Sequence, residues 1–204
     1  MFRSINNPYI LIISIPAILW AISFHEFCHG YAAKLLGDRT AEMQGRLTLN
    51  PLKHFDPIGA LMLLFVGFGW AKPVPINTRY FKSFRRDMII VSIAGIVGNL
   101  LTAFVFVMLR RIIPPQAAGF AGMLFIEIMI FMNVGLAAFN ILPIPPLDGS
   151  KILYSFLPFE WLKIYYFLER YGFFILLILI FTNSIGSLIF PVRSFFLWLV
   201  GYYH

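Results

Sequence analysis

The sequence predicts an all-α polytopic membrane protein: a bundle of about four to six transmembrane helices with a short β-hairpin or re-entrant segment after the first. Three observations predict it. The 204 residues are 60% hydrophobic and only 12% charged, where a soluble domain carries roughly 25% charged residues. The apolar residues gather into runs long enough to cross a ~30 Å hydrocarbon core at ~1.5 Å per residue. Short blocks rich in Pro, Gly and basic residues separate these runs. A soluble enzyme with one large core is excluded, because no single core hides that much apolar surface. The length suits one integral domain over residues 1–204, with its core at about 9–151, and leaves no room for a second soluble domain.

The first span runs from about Tyr9 to about Leu36. It is uncharged as far as Phe24, carries Pro16 inside, and holds His25, Glu26 and His29 in its last turns. Pro16 is expected to kink it. Arg3 precedes this run, but no small-residue cleavage site follows, so the span is read as retained. Next, Gln44-Gly45 signals a turn, and the alternation Arg46-Leu47-Thr48-Leu49 reads as a short strand, half of a hairpin. Ile58 to Ala71 is apolar but short for a crossing, and reads as re-entrant or interfacial. Met88 to Leu109 is the second span, with Gly95, Gly98 and Asn99 for close helix packing. Ala117 to Leu142 is the third, and the Pro143–Ser150 block, PIPPLDGS, breaks it. Tyr171 to Phe190 is the fourth. Ser194 to Tyr203 is either interfacial or a fifth crossing.

The net charge is +7, but the basic residues lie between apolar spans. Their partner is an anionic membrane surface, and no block resembles a nucleic-acid motif. With the N-terminus outside, the loops at 34–86 and 151–170 hold all of the 16 Lys and Arg except Arg3, Arg110, Arg111 and Arg193. The positive-inside rule then puts the end of the first span that carries the histidines on the cytoplasmic side. The single cysteine, Cys28, rules out an internal disulfide.

The chemistry gathers at HEFCHG, residues 25–30. On a helix, residues four apart share a face, so His25 and His29 can grip one metal ion. Glu26 lies about 100° round the helix, within reach of a water at that metal without being a ligand. Zinc takes two imidazoles and a carboxylate and keeps a fourth position open. Ionisable groups in an apolar span are costly, and their presence points to function rather than to a cap. Asp148 is the candidate third ligand. Read from its residues alone, it is equally an N-cap for the next helix. His54 either supports the site, binds substrate or satisfies the turn before Pro57, which Asp56 builds. Asn140 either donates to a scissile carbonyl or its oxyanion, or bonds between helices. Asn99 reads as packing or interhelical bonding, and Cys28 as a small apolar filler. Glu127 either lines a polar passage or pairs with Arg110 or Arg111.

Four blocks in order, HEFCHG, GRLTLNPLKHFDPIG, GFGWAKPVPIN and NILPIPPLDGS, resemble the site-2 protease family of intramembrane zinc peptidases. The resemblance covers about Tyr9 to Lys151. It implies that Asp148 is the third zinc ligand, beside His25 and His29, with Glu26 as the catalytic group. It also implies that the substrate is a transmembrane segment of a membrane protein, cleaved within the bilayer near the cytosolic side. The AGIVGN segment has Gly95-Ile96 where many members have Gly-Pro, and no PDZ insertion is visible. The catalytic set is intact, so an active enzyme is expected; the lack of targeting segments and the compact form suggest a prokaryotic plasma membrane. The rival reading is a membrane metal-binding or metal-transport protein without catalysis. One compact ligand cluster, rather than a ladder across several spans, weighs against it.

Overall fold

The structure, a computed structural model, describes residues 8–66 and 69–203. Arg3, one of the basic residues placed outside, and Gly67-Phe68 of the Ile58–Ala71 segment lie outside the described residues. Eight α-helices are described: α1 (Pro8–Leu35), α2 (Thr40–Met43), α3 (Pro57–Val66), α4 (Phe84–Ile112), α5 (Pro115–Asn140), α6 (Asp148–Phe156), α7 (Leu162–Phe181) and α8 (Ser184–Leu199). Four of them, α1, α4, α5 and α7, are long and apolar enough to cross a membrane. Their outward residues are large and apolar: Ile12 on α1, Leu101 and Val105 on α4, and Phe174 and Ile178 on α7 are all more than half exposed. Only a hydrocarbon surround removes the cost of such surface. The chain is an integral membrane protein.

Helices α1, α4 and α5 form the core of the bundle. Helix α1 runs unbroken through Pro16 and lies antiparallel to α4. Trp20 reaches Thr102 near the middle of that pair, and His29 reaches Val91 at its end. Helix α5 returns parallel to α1, with Tyr9 stacked on Phe120 and Ala17 packed with Met129. It bends at Gly119, whose φ of 63° and ψ of 178° are not helical. Helix α8 lies antiparallel to α5. Its start, at Ile185 and Ile189, packs with Phe139 and Leu142, and Tyr202 beyond its end meets Phe131 and Glu127. At that far end Glu127 pairs with Arg110 at 2.7 Å and accepts from the Tyr202 hydroxyl at 3.0 Å. The glutamate left open by the sequence is therefore a clasp joining α4, α5 and the chain after α8.

Two expectations are corrected. No strand occurs among the described residues, so the β-hairpin at Arg46–Leu49 does not form. The alternating side chains have no partner strand. Instead, Arg46 donates to the carbonyls of Lys72 and Pro73, and Leu47 packs onto Gly30 of α1. The fourth span is not a single helix from Tyr171 to Phe190: the chain breaks at Thr182 and Asn183, the latter left-handed at φ 57°. Asn tolerates that conformation better than the apolar residues around it. Helix α7 also begins earlier and runs back along the segment after α5. Tyr165 stacks near Tyr154, Gly172 abuts Pro145, and Leu176 packs with Leu142 and Leu147. The short α3 is too short to cross, as its sequence implies. Asp56 caps it by accepting from the Gly59 N–H at 2.8 Å.

Candidate metal centre

His25 and His29 project from one face of α1 toward α4. They can do so because Gly95 stands opposite. A Cβ added at Gly95 would lie 2.6 Å from both Cε1 and Nε2 of His29 and 2.7 Å from Cε1 of His25. Gly95→Ala is therefore expected to push the rings apart at an overpacking cost of about 1–3 kcal/mol and to weaken metal retention. Metal content after dialysis, compared with wild type, checks this; equal content would mean that α1 and α4 shift to absorb the methyl. Asp148 arrives from the other side as the first residue of α6. The turn before it is close-packed: a Cβ on Gly149 would collide with the carbonyl of Ile141, so only glycine lets the loop fold back onto the end of α5.

The hydrogen bonds fix the tautomers. His29 Nδ1 donates to the carbonyl oxygen of Val91 at 2.7 Å, an acceptor that leaves the ring no other role there. His25 Nδ1 donates to Asn99 Oδ1 at 2.7 Å. The Asn99 amide is oriented in turn because its Nδ2 donates to the Ala21 carbonyl at 3.0 Å and to Asn133 Oδ1 at 2.9 Å. Asn133 closes the chain by donating to Met129 at 2.8 Å. This network spans α1, α4 and α5 and leaves none of its members unpaired. Both imidazoles are thus held with Nε2 bare.

The bare nitrogens converge. His25 Nε2 and His29 Nε2 are 2.9 Å apart, and Asp148 Oδ2 lies 3.1 Å from the first and 3.0 Å from the second. All three residues are buried. The Lys151 ammonium, 3.0 Å from Oδ1 of Asp148, favours the ionised carboxylate. Three electron-pair donors in contact, one of them anionic, call for a cation among them. Tetrahedral zinc with bonds of about 2.0–2.1 Å has ligand atoms roughly 3.3 Å apart, close to the spacing seen, so the residues fit the ion. Among the described residues this is the one group of His, Cys, Asp and Glu placed to hold a metal.

Glu26 sits on the next face. Its Oε2 accepts from the Val74 N–H at 2.8 Å. Val74 lies between Pro73 and Pro75, which have no N–H, so this short stretch offers one backbone donor and Glu26 takes it. The stretch is pinned further by Lys72 N–H to the His54 carbonyl at 2.9 Å and by Asn77 N–H to the buried Asp38 at 2.7 Å. His54 and Asn140 are not in the ligand cluster. His54 is buried, with Nε2 on the Thr48 carbonyl at 2.8 Å, and it shapes the loop that carries Val74. Asn140 Nδ2 donates to the Leu136 carbonyl one turn back, at 3.0 Å. Cys28 packs against Gly98 and takes no part. Sequence reasoning missed Val91, Val74, Asp38 and Lys151. The first two act through backbone atoms, which no side-chain pattern reveals.

A helical bundle of the membrane that turns two imidazoles and a buried carboxylate on one point, with a glutamate beside them, defines an integral membrane protein with a group able to hold a metal ion. Comparison with known proteins narrows this class. The model for "Peptidase family M50" matches residues 112–179. The Bacillus subtilis protein named "Putative zinc metalloprotease YwhC" is 40% identical over 197 residues, which is 94% of this chain and 84% of that protein. "Putative zinc metalloprotease Rip2" of Mycolicibacterium smegmatis is 31% identical over 202 residues, 95% of this chain and 76% of its own. "Putative zinc metalloprotease MJ0611" of Methanocaldococcus jannaschii is 34% identical over 157 residues, 74% of each chain. No solved structure matches the chain. The chain belongs to peptidase family M50, the site-2 protease family, and is a metalloendopeptidase.

Proposed function

We propose that the protein is an intramembrane zinc endopeptidase that hydrolyses peptide bonds within or near the transmembrane segments of membrane proteins. His25, His29 and Asp148 would hold the zinc, and Glu26 would be the general base. One observation carries the reading: three bare ligand atoms meet inside a membrane bundle, next to a glutamate that is not one of them. When bound, zinc supplies Lewis acidity, polarising the scissile carbonyl and making water acidic enough to lose a proton near neutral pH.

The chain's own residues do the rest. Glu26 takes the proton of the attacking water and passes it to the leaving amine. The Val74 N–H holds Oε2 of that carboxylate and leaves Oε1 for the proton. Asn99 and the Val91 carbonyl keep both histidines in the tautomer that presents Nε2. Asn140 is the candidate donor to the scissile carbonyl, a role in which it would trade the Leu136 carbonyl for substrate. The bias of basic residues supports a site toward the cytoplasmic side, where water can reach it, and the bacterial and archaeal origin of the similar proteins supports a prokaryotic plasma membrane. A substrate helix hides its amides in its own hydrogen bonds, so it must unwind before it can be cut. A metal-conducting role finds little support, since one ligand cluster rather than a series is present among the described residues.

The test is reconstitution into liposomes with a model single-span substrate, with products located by mass spectrometry. Cuts within or beside the span, abolished by a chelator and restored by zinc, are the expected result. Cuts confined to soluble peptides, or cleavage indifferent to the chelator, would sink the reading.

A further inference from the structure

The two oxygens of Asp148 have different partners. Oδ2 faces His25 and His29, at 3.1 and 3.0 Å from their Nε2 atoms. Oδ1 lies 3.0 Å from Nζ of Lys151. The helix imposes this pairing: α6 starts at Asp148, and Lys151 stands three residues on, above it on the same face. The carboxylate side chain is 5% exposed and the lysine side chain 41%. The buried anion is therefore reached from one side by the imidazoles and from the water side by the ammonium. A charge-assisted hydrogen bond of this kind fixes the carboxylate plane as well as its charge.

That division matters to a metal. A carboxylate can bind through one oxygen or through both. In a site of two histidines and one aspartate, binding through both oxygens fills the position that a hydrolase needs open. We propose that Lys151 is a positioning residue that occupies Oδ1, so that Asp148 meets the metal through Oδ2 alone and a coordination position stays open. This inference rests on reading His25, His29 and Asp148 as the metal ligands. Lys151 acts through Asp148 and touches no reacting atom.

The experiment uses the full chain in detergent, with cobalt(II) as a visible probe of coordination number. Wild type, Lys151→Met and Lys151→Arg are titrated with cobalt, and visible absorption is recorded for each. Wild type is expected to bind one equivalent with the strong absorption of four-coordinate cobalt. Lys151→Met should bind 10–100-fold more weakly, the usual consequence of losing a group that orients a ligand. Its absorption should fall as Oδ1 joins the metal. Lys151→Arg restores a donor on the same turn and should recover most of the affinity and the spectrum. Wild-type affinity and spectrum in Lys151→Met would overturn the inference while leaving the site intact. Failure of wild type to bind cobalt would overturn the ligand assignment, and this inference with it.

Discussion

Glu26→Gln is expected to keep its metal and lose peptide hydrolysis by about 10²–10⁴-fold, the range that general acid–base catalysis supplies. Glu26 is outside the group formed by His25, His29 and Asp148, so its charge is not needed to hold the ion. The amide that replaces it is nearly isosteric, and its oxygen can still accept from the Val74 N–H. What disappears is the ability to take a proton. Metal content and cleavage rate measured on one preparation separate the two functions. A Gln variant that cleaves at the wild-type rate would remove Glu26 from the mechanism. One that has also lost its metal would make Glu26 a ligand.

Asp148→Ala is expected to lose both metal and activity. Two neutral imidazoles remain on α1, and the only anionic donor of the cluster is gone. The effect on stability follows from mass action. A folded state that binds a metal the unfolded chain does not is stabilised by about 2.7 kcal/mol when free metal stands at a hundred times its dissociation constant. Thermal unfolding of wild type should therefore shift upward when zinc is added, and Asp148→Ala should show no such shift. A variant that still gains stability from zinc, with unchanged cleavage, would place the third ligand elsewhere.

Much of this was legible in the sequence because the relevant patterns are local. His25, Glu26 and His29 fall on one helix, so their spacing alone determines how they face. The spans α1, α4 and α5 show as continuous apolar runs, and Pro143 to Pro146 marks the end of the third. Four features were not legible, each for its own reason. The Arg46–Leu49 alternation has the period of a strand, but a strand needs a partner, and Arg46 and Leu47 find theirs in the 72–73 carbonyls and in Gly30. The break at Asn183 interrupts an apolar run with little more than Thr182 and Ser184 to signal it. The supports of the candidate metal site depend on tertiary neighbours. Asn99, which reads as a packing residue, orients His25; the Val91 carbonyl and the Val74 N–H are backbone groups that any residue could supply. Glu127 reads equally as lining a polar passage or pairing with Arg110 or Arg111, and only the packing of α4 on α5 selects Arg110.

The central claim is that one zinc ion is held by two imidazole nitrogens and a carboxylate oxygen. X-ray absorption at the zinc edge on the purified full chain tests it most directly. One zinc per chain is expected, with a first shell of nitrogen and oxygen at about 2.0–2.1 Å and the outer scattering of two imidazole rings. A sulfur scatterer at about 2.3 Å, the thiolate distance that Cys28, the single cysteine, could supply, or a shell without imidazole, would contradict it.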